Sequence, residues 1–189
     1  MMPAGYMFKH IAARPDWLKV DSVTDIWSVS NCTSMSFTNY IKFWTHNGHW
    51  MFDSPEKMEV IAKREGIDLS GATLCYYEVH EYEFDEDRKS WSPIEPERSF
   101  TTEVVRPRRS TLVGYDVVTF SVHTAPECSP LSCNYVAAQL PVNSHCLLGT
   151  FDEAKAALEA GLFDNSEPGP FRIFAVYTVE RMADGDRRQ

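Results

Sequence analysis

No apolar run in this sequence approaches the length that a membrane-spanning helix requires, so an integral membrane protein is not expected. Residues 1–10 also lack a cationic start followed by an apolar stretch, and without such a secretory signal the expected location is the cytoplasm. The chain has no glycine-rich phosphate loop, dinucleotide-binding fingerprint or serine nucleophile elbow. These absences favour a soluble protein outside the common nucleotide-binding and serine-hydrolase classes.

Basic residues are scarce. Lysine and arginine number 18 against 27 aspartate and glutamate residues, which gives a net charge of -9. Nucleic-acid binding needs a cationic face that displaces counterions from phosphates, so this charge argues against it and leaves a basic protein as a compatible partner. The five cysteines are an odd number without the spacing of a small disulfide-stabilised protein, which predicts reduced thiols.

The chain contains an apparent internal repeat. Residues 26–83 and 119–180 run through the same order of strand, cysteine loop, helix, Asn-x-His turn, helix and strand. Residues 32–62 align without gaps to residues 128–158, and the identical pairs are Cys32 with Cys128, Ser36 with Ser132, Asn47 with Asn143, and His49 with His145. Halves of about 60 residues would be marginally stable alone, so we expect one body with a shared core.

Helical periodicity supports the repeat. The apolar residues of the first copy recur at i, i+3, i+4 and i+7, and those of the second copy keep the same register; they are Phe37, Tyr40, Ile41 and Trp44, then Cys133, Val136, Ala137 and Leu140. Ser36 and Ser132 are placed to cap these helices. A second helix is predicted to begin at Pro55 in one copy and at a capping box of Thr150 and Glu153 in the other.

The predicted fold class is α+β or α/β, with two duplicated strand-helix-strand-helix-strand units related by a pseudo-twofold axis. Connections through helices favour parallel or mixed strand pairing, hence a mixed sheet in a single body. Strand one of the first unit is expected at residues 25–31. The predicted segments are a lead-in at 1–22, repeat unit 1 at 23–84, a connector at 85–112, repeat unit 2 at 113–182 and a disordered tail at 183–189.

The shared cysteines and histidines are candidates for catalysis. A thiolate with an imidazole base has the residue types of a cysteine hydrolase. Within one half, however, about eleven helical residues separate cysteine from histidine by on the order of 16 Å, far beyond hydrogen-bond reach. The duplicated residues therefore form a thiol-imidazole site only across the two halves, with Cys32 near His145 or Cys128 near His49.

A zinc site from Cys128, Cys133, His145 and Cys146 is also conceivable. Its spacing, C-x4-C-x11-H-C, supplies zinc ligands but lacks the usual Cys-x-x-Cys knuckle. Cys133 occupies a predicted core position, where a thiol is a small buried hydrophobe. Adjacent His145 and Cys146 would point to opposite faces of an extended chain. We therefore expect neither a metal nor another cofactor.

The function predicted from the sequence is a binding or interaction module that offers a cleft between its two halves to a small molecule or a basic protein. The alternative is a thiol-dependent enzyme of hydrolase or transferase type, with Cys128 as nucleophile and a histidine of the other half as base; the sequence leaves open whether the protein is an enzyme. Polar residues of the cysteine loops and turns are the expected binding groups: Asn47, Asn143, Ser129, Ser132 and Asn134.

Overall fold

The computed structural model describes residues 1–37, 47–94, 103–121 and 125–180. Over these residues the protein is an α+β body, as predicted. Its strands are β1 (Met2–His10), β2 (Ala12–Ala13), β3 (Asp25–Ile26), β4 (Met35–Ser36), β5 (Thr73–Val79), β6 (Tyr82–Asp85), β7 (Ser90–Pro93), β8 (Ser110–Thr119) and β9 (Phe171–Val179). Its helices are α1 (Pro55–Glu65), α2 (Pro130–Cys133) and α3 (Phe151–Glu159), and a 3-10 turn covers Val136–Ala138.

One seven-stranded sheet organises the molecule. Its order is β4-β1-β5-β9 followed by β6 and β7, while β8 pairs with β9 along the whole length of β8. The short strands β2 and β3 pair with each other outside this sheet. Both faces of β9 are buried from Phe171 to Val176, so this strand lies in the centre of the core.

Helices α1 and α3 cover the sheet through two separate apolar clusters. Met58 and Ile61 of α1 pack with residues of β1 and β5, whereas Ala157 and Leu158 of α3 pack with residues of β8 and β9. Local signals explain where both helices begin. Proline occupies the first turn of α1, and Thr150 and Glu153 form the predicted capping box at the start of α3.

The prediction of parallel or mixed pairing is wrong, because every strand pair in the described part of the chain is antiparallel. The prediction assumed a single helical crossover between consecutive strands of each half. Instead, before each helix begins, the chain makes a short antiparallel contact with a strand of the main sheet. Phe52 exchanges backbone hydrogen bonds with Tyr6 of β1 before α1 begins, and Leu148 does the same with Tyr115 of β8 before α3.

The predicted strand at 25–31 is reduced to the two residues of β3, outside the main sheet. Ser36 does not cap a helix, because it lies in β4 and pairs with Lys9. In the second half α2 begins at Pro130 after Ser129, so Ser132 lies inside that helix. The remainder of the first predicted helix, including Tyr40, Ile41 and Trp44, falls outside the described residues.

The segments that were predicted as a lead-in and a connector contain strands of the main sheet. Residues 1–22 include β1, which pairs with β5, and residues 85–112 include β7 and the start of β8. The predicted tail, residues 183–189, lies outside the described residues. Within the described ranges, none of the helices has the length and apolar character needed to cross a membrane.

Candidate three-thiol site

Three cysteine sulfurs meet where the two halves of the chain adjoin. The Sγ atoms of Cys32, Cys128 and Cys133 all lie within 4.8 Å of one another. Cys32 is exposed, Cys133 is half-buried and Cys128 is only 5% exposed. Among the described residues, these three form the group of metal-ligating side chains that lie within reach of a single ion. We refer to Cys32, Cys128 and Cys133 as the three-thiol site.

A buried lysine fixes the loop that carries Cys32. Lys9 lies at the end of β1 and is 1% exposed. Its ammonium group donates to the carbonyl oxygen of Ser30 at 2.7 Å and, at 3.3 Å, to that of Val29 and to the side-chain oxygen of Asn31. Because an ammonium group has donors but no acceptor, three oxygens converging on it hold residues 29–31 in one arrangement.

A buried carboxylate joins this loop to the loop that carries Cys128. Asp116 of β8 is 1% exposed, and its Oδ2 accepts from the Val29 amide at 2.9 Å and from the Ser129 hydroxyl at 2.6 Å. The Ser30 amide in turn donates to Ser129 Oγ at 3.2 Å. Ser129 was predicted as a binding residue, and these bonds give it a structural role that fixes the two loops relative to each other.

The backbone of Cys128 is fixed by Thr119 at the end of β8. The Cys128 amide donates to Thr119 Oγ1 at 3.1 Å, and the Thr119 amide donates to the Cys128 carbonyl at 2.9 Å. The Cys128 thiol donates to Asn134 Oδ1 at 3.3 Å, while the Cys32 thiol donates to the Glu127 carbonyl at 3.1 Å. Two of the three sulfurs are therefore oriented by oxygen acceptors before any ligand arrives.

The three-thiol site opens into a cleft of about 440 Å³. Besides the three cysteines, the cleft is lined by Thr119, Ser121, Glu127, Asn134, Glu167 and Pro168. The Glu127 carboxylate accepts from the amide and the hydroxyl of Ser121, at 2.7 Å and 2.6 Å. The sulfurs are thus accessible to a small ligand from a polar, acidic side of the molecule.

A larger cleft, of about 570 Å³, lies beside the start of α1, and Tyr6, Asp53 and Arg106 are among the residues that line it. Its charged groups already form ion pairs: Lys57 pairs with Asp53, and Arg106 pairs with Glu78 at 2.9 Å. Size alone therefore does not identify the functional cleft. Chemistry favours the smaller one, because it contains the converging sulfurs.

The pKa values of the neighbouring thiols are shifted in opposite directions. Hydrogen bonds from the thiols of Cys128 and Cys133 hold the pKa of Cys32 well below its usual range, with further help from the Ser30 side chain. The neighbouring thiols of Cys133 and Cys32, together with burial, raise the pKa of Cys128. When one proton leaves, the charge is therefore stabilised at the exposed sulfur, which is Cys32 and not the predicted nucleophile Cys128.

The two histidines that were predicted as bases contact other groups. His49 is 7% exposed, and its ring stands edge-on to Phe174 at 6.4 Å; burial and then the charge of Arg172 lower its pKa to about 4. His145 places Nδ1 at 2.6 Å from Asp25 Oδ1 and its ring against Trp27. Neither set of contacts includes a sulfur of the three-thiol site.

Asn47 and Asn143 hold their turns in place. The Asn47 side-chain oxygen accepts from the amides of His49 and Met51, and its Nδ2 donates to the Ala4 carbonyl. Asn143 repeats this pattern with His145, Leu147 and Val113. These bonds explain why both turns use asparagine without any ligand.

The remaining predicted binding residues lie next to the sulfurs. Ser132 is 2% exposed and its hydroxyl donates to the Ser129 carbonyl at 3.2 Å, so it lies beneath the site and not in the cleft. Asn134 lines the cleft and accepts from Cys128. Sequence reasoning missed Lys9 and Asp116. The sequence signal for Lys9 was a single charged residue near the end of an apolar stretch. Residue 9, however, falls in the segment that was predicted as a lead-in.

No protein-family model, curated protein or solved structure matches this chain.

Proposed function

We propose that this protein binds a thiophilic metal ion, with Zn²⁺ as the first choice, through Cys32, Cys128 and Cys133. The observation that carries the proposal is the convergence of three sulfurs within 4.8 Å of one another. In a tetrahedral site with Zn–S bonds of about 2.3 Å, bound sulfurs stand about 3.8 Å apart. Small side-chain movements therefore suffice to close the three thiols around an ion.

The surroundings of the sulfurs support this ligand class. Thiolate ligands select soft or borderline ions such as Zn²⁺ and Cu⁺ over Mg²⁺ and Ca²⁺, which prefer oxygen. Three thiolates around a divalent ion leave a net negative charge, and Lys9, which interacts electrostatically with Cys32 and Cys133, offsets it from below. The hydrogen bonds of Asp116 and Ser129 preorganise both loops, which reduces the entropy lost on binding.

Three protein ligands leave a fourth position, and the cleft is the side from which it is filled. Structural zinc sites usually have four protein ligands, whereas sites with three keep a position for water or a small molecule. Cys32 is exposed on the cleft, and Asn134 and Glu167 belong to its lining. The proposed metal therefore remains accessible to a small ligand, which retains the cleft-binding role predicted from the sequence.

Metal binding to the reduced protein tests the proposal. Titration with Co²⁺ should give a saturable sulfur-to-cobalt charge-transfer band with one ion per chain, and added Zn²⁺ should remove that band. Each of Cys32→Ser, Cys128→Ser and Cys133→Ser should weaken the band strongly, while Cys75→Ala, a buried cysteine of β5, should leave it intact. Unchanged binding in the three serine variants, or no thiolate band in the wild type, would falsify the proposal.

We also propose that the two halves are copies of one unit. The support is the matched hydrogen bonding of Asn47 and Asn143 and the matched backbone approach at Gly5 and Gly114. In this structural alignment β1 corresponds to β8. In the alignment made from the sequence, the segment that corresponds to residues 119–123 was residues 26–30. Under it, Cys32 belongs to one copy and Cys128 with Cys133 to the other, so the metal would bind between the copies.

The exposure of Cys32 in the same cleft supports a second candidate, which is chemistry at the thiol itself. The sequence predicted such chemistry with a histidine base. The Cys32 sulfur lies within 4.8 Å of the sulfurs of Cys128 and Cys133 and donates to the Glu127 carbonyl. Neighbouring thiols, and not an imidazole, are therefore the groups with which Cys32 is placed to react.

A further inference from the structure

The three sulfurs differ in how freely each can move and be reached. Cys128 is almost fully buried, its backbone is bonded to Thr119 on both sides, and its thiol is held by Asn134. Cys32 is exposed, and its thiol donates to the Glu127 carbonyl. Cys133 is half-buried and is the last residue of the four-residue helix α2. Cys32 and Cys133 are therefore the two more accessible sulfurs.

We propose that Cys32 and Cys133 form a reversible disulfide when the protein reacts with hydrogen peroxide. A disulfide requires an S–S separation of about 2.05 Å, and these sulfurs already stand within 4.8 Å of each other. Cys32 and Cys133 lie outside the strands, so closing this difference requires movement of side chains and loops and not of the sheet. The bond would join two loops that are far apart in sequence but are already held together by Ser129 and Asp116.

The chemistry balances with the peroxide as the only oxidant. The Cys32 thiolate attacks one peroxide oxygen, the O–O bond breaks, and the leaving hydroxide takes up the proton that the thiol released, which yields a sulfenic acid and water. Cys133 then attacks the Cys32 sulfur, the S–O bond breaks, and hydroxide leaves with the Cys133 proton as a second water. Two thiols are oxidised and one peroxide is reduced. A dithiol reductant restores both thiols by exchange.

This disulfide would also regulate the proposed metal site, and that part of the inference rests on the proposed function. A sulfur in a disulfide is no longer a thiolate ligand, so oxidation removes two of the three ligands and releases the ion. The reduced protein would hold the metal and the oxidised protein would not.

Peptide mapping after oxidation tests the disulfide in the absence of metal. The reduced full-length chain is treated with a chelator, exposed to limiting hydrogen peroxide, alkylated and digested. A Cys32–Cys133 peptide should be the main product. The Cys128→Ser variant should still form it, whereas Cys133→Ser should accumulate sulfenic acid on Cys32 that dimedone captures. A dominant Cys32–Cys128 bond, a dominant bond between chains, or oxidation of Cys32 no faster than that of buried Cys75 would overturn the inference.

A second measurement separates the disulfide from the metal. Protein loaded with Zn²⁺ is treated with peroxide and the released ion is followed with a chromogenic chelator. Release that keeps pace with the disulfide, and rebinding after dithiothreitol, is the expected result. Disulfide formation with the ion retained contradicts the regulatory link alone. A chain that never binds Zn²⁺ refutes the proposed function, while the mapping in metal-free protein still decides whether the disulfide forms.

Discussion

The turn that begins at Asn47 and the turn that begins at Asn143 are built alike but hold their histidines differently. In each turn the asparagine amide donates to a carbonyl four residues later, at 2.9 Å and 2.8 Å, and the side-chain oxygen accepts from two amides. In each, the residue three positions after the asparagine has a left-handed backbone, Trp50 with φ 57° and Cys146 with φ 60°.

The histidines have no such shared environment. The turn uses only the backbone amide of each histidine, which any residue except proline provides. His49 is buried, and in the described part of the chain its Nδ1 has no hydrogen-bond partner. His145 is half-exposed and bonded to Asp25. The asparagine therefore specifies the turn, whereas the residues around each imidazole determine its role.

The largest loss of stability is expected when a side chain is added where a strand contacts each turn. A Cβ at Gly5 would lie 2.7 Å from Met51 Cβ, and one at Gly114 would lie 2.7 Å from Leu147 Cβ. Because backbone oxygens crowd both positions as well, we expect Gly5→Ala and Gly114→Ala each to lower the free energy of unfolding by about 3 kcal/mol or more. Urea unfolding monitored by circular dichroism measures it.

A suitable control for this pair is Gly71→Ala. Gly71 has φ +72° but no heavy atom within 4 Å of the added Cβ, so only the backbone strain of about 1 kcal/mol should appear. Equal losses at all three glycines would show that close approach of the strand to the turn is not what matters at Gly5 and Gly114.

A smaller effect distinguishes the two asparagines. Asn47→Ala and Asn143→Ala each remove three side-chain hydrogen bonds, and Asn47 is 3% exposed while Asn143 is half-buried. Water can replace lost partners only at the second site, so we expect a loss of about 3 kcal/mol at Asn47 and about 1–2 kcal/mol at Asn143. Thermal or urea unfolding gives both values. A larger loss at Asn143 would contradict the burial argument.

Burial of His49 should make the stability of the protein depend on pH. Because burial lowers the pKa of His49 from 6.5 to about 4, the unfolded chain binds this proton first. The stability contributed by neutral His49 is therefore present above pH 6.5 and declines from there towards pH 4, by up to about 3 kcal/mol. His49→Leu should flatten this part of the stability curve. Urea unfolding at several pH values measures this slope, and equal slopes in wild type and His49→Leu would contradict the assignment.

Local features of this fold were predictable from the sequence, because short-range chemistry decides them. Proline after Ser54 and the pair Thr150 and Glu153 place the starts of α1 and α3. The shared Asn-x-His turns were likewise visible as matched residues. The α+β class and the reduced cysteines also agree with the structure.

Sheet pairing and the three-thiol site depend on contacts that the sequence does not display. β1 was overlooked because residues 2–10 show no strict alternation: six consecutive residues are buried, including Lys9. Cys32 was matched with the histidines, because a cysteine and a histidine recur at the same positions of both halves. The residue that aligns with Cys133 in the first half is Phe37 and not a cysteine. The meeting of Cys32 with Cys133 follows from Asp116 and Ser129 joining two distant loops, a contact that neither periodicity nor spacing encodes.

A link between Cys32 and Cys133 would also lower the conformational entropy of the unfolded chain. Cys32 and Cys133 are about 100 residues apart in sequence, and linking positions so distant removes about 4.7 kcal/mol of conformational entropy, as TΔS at 25 °C, from the unfolded ensemble in a chain-entropy treatment. A shared metal ion constrains the same segment for as long as it stays bound. The redox and metal state of these thiols therefore changes the reference against which folding is measured, so stabilities of different preparations are comparable only when that state is the same.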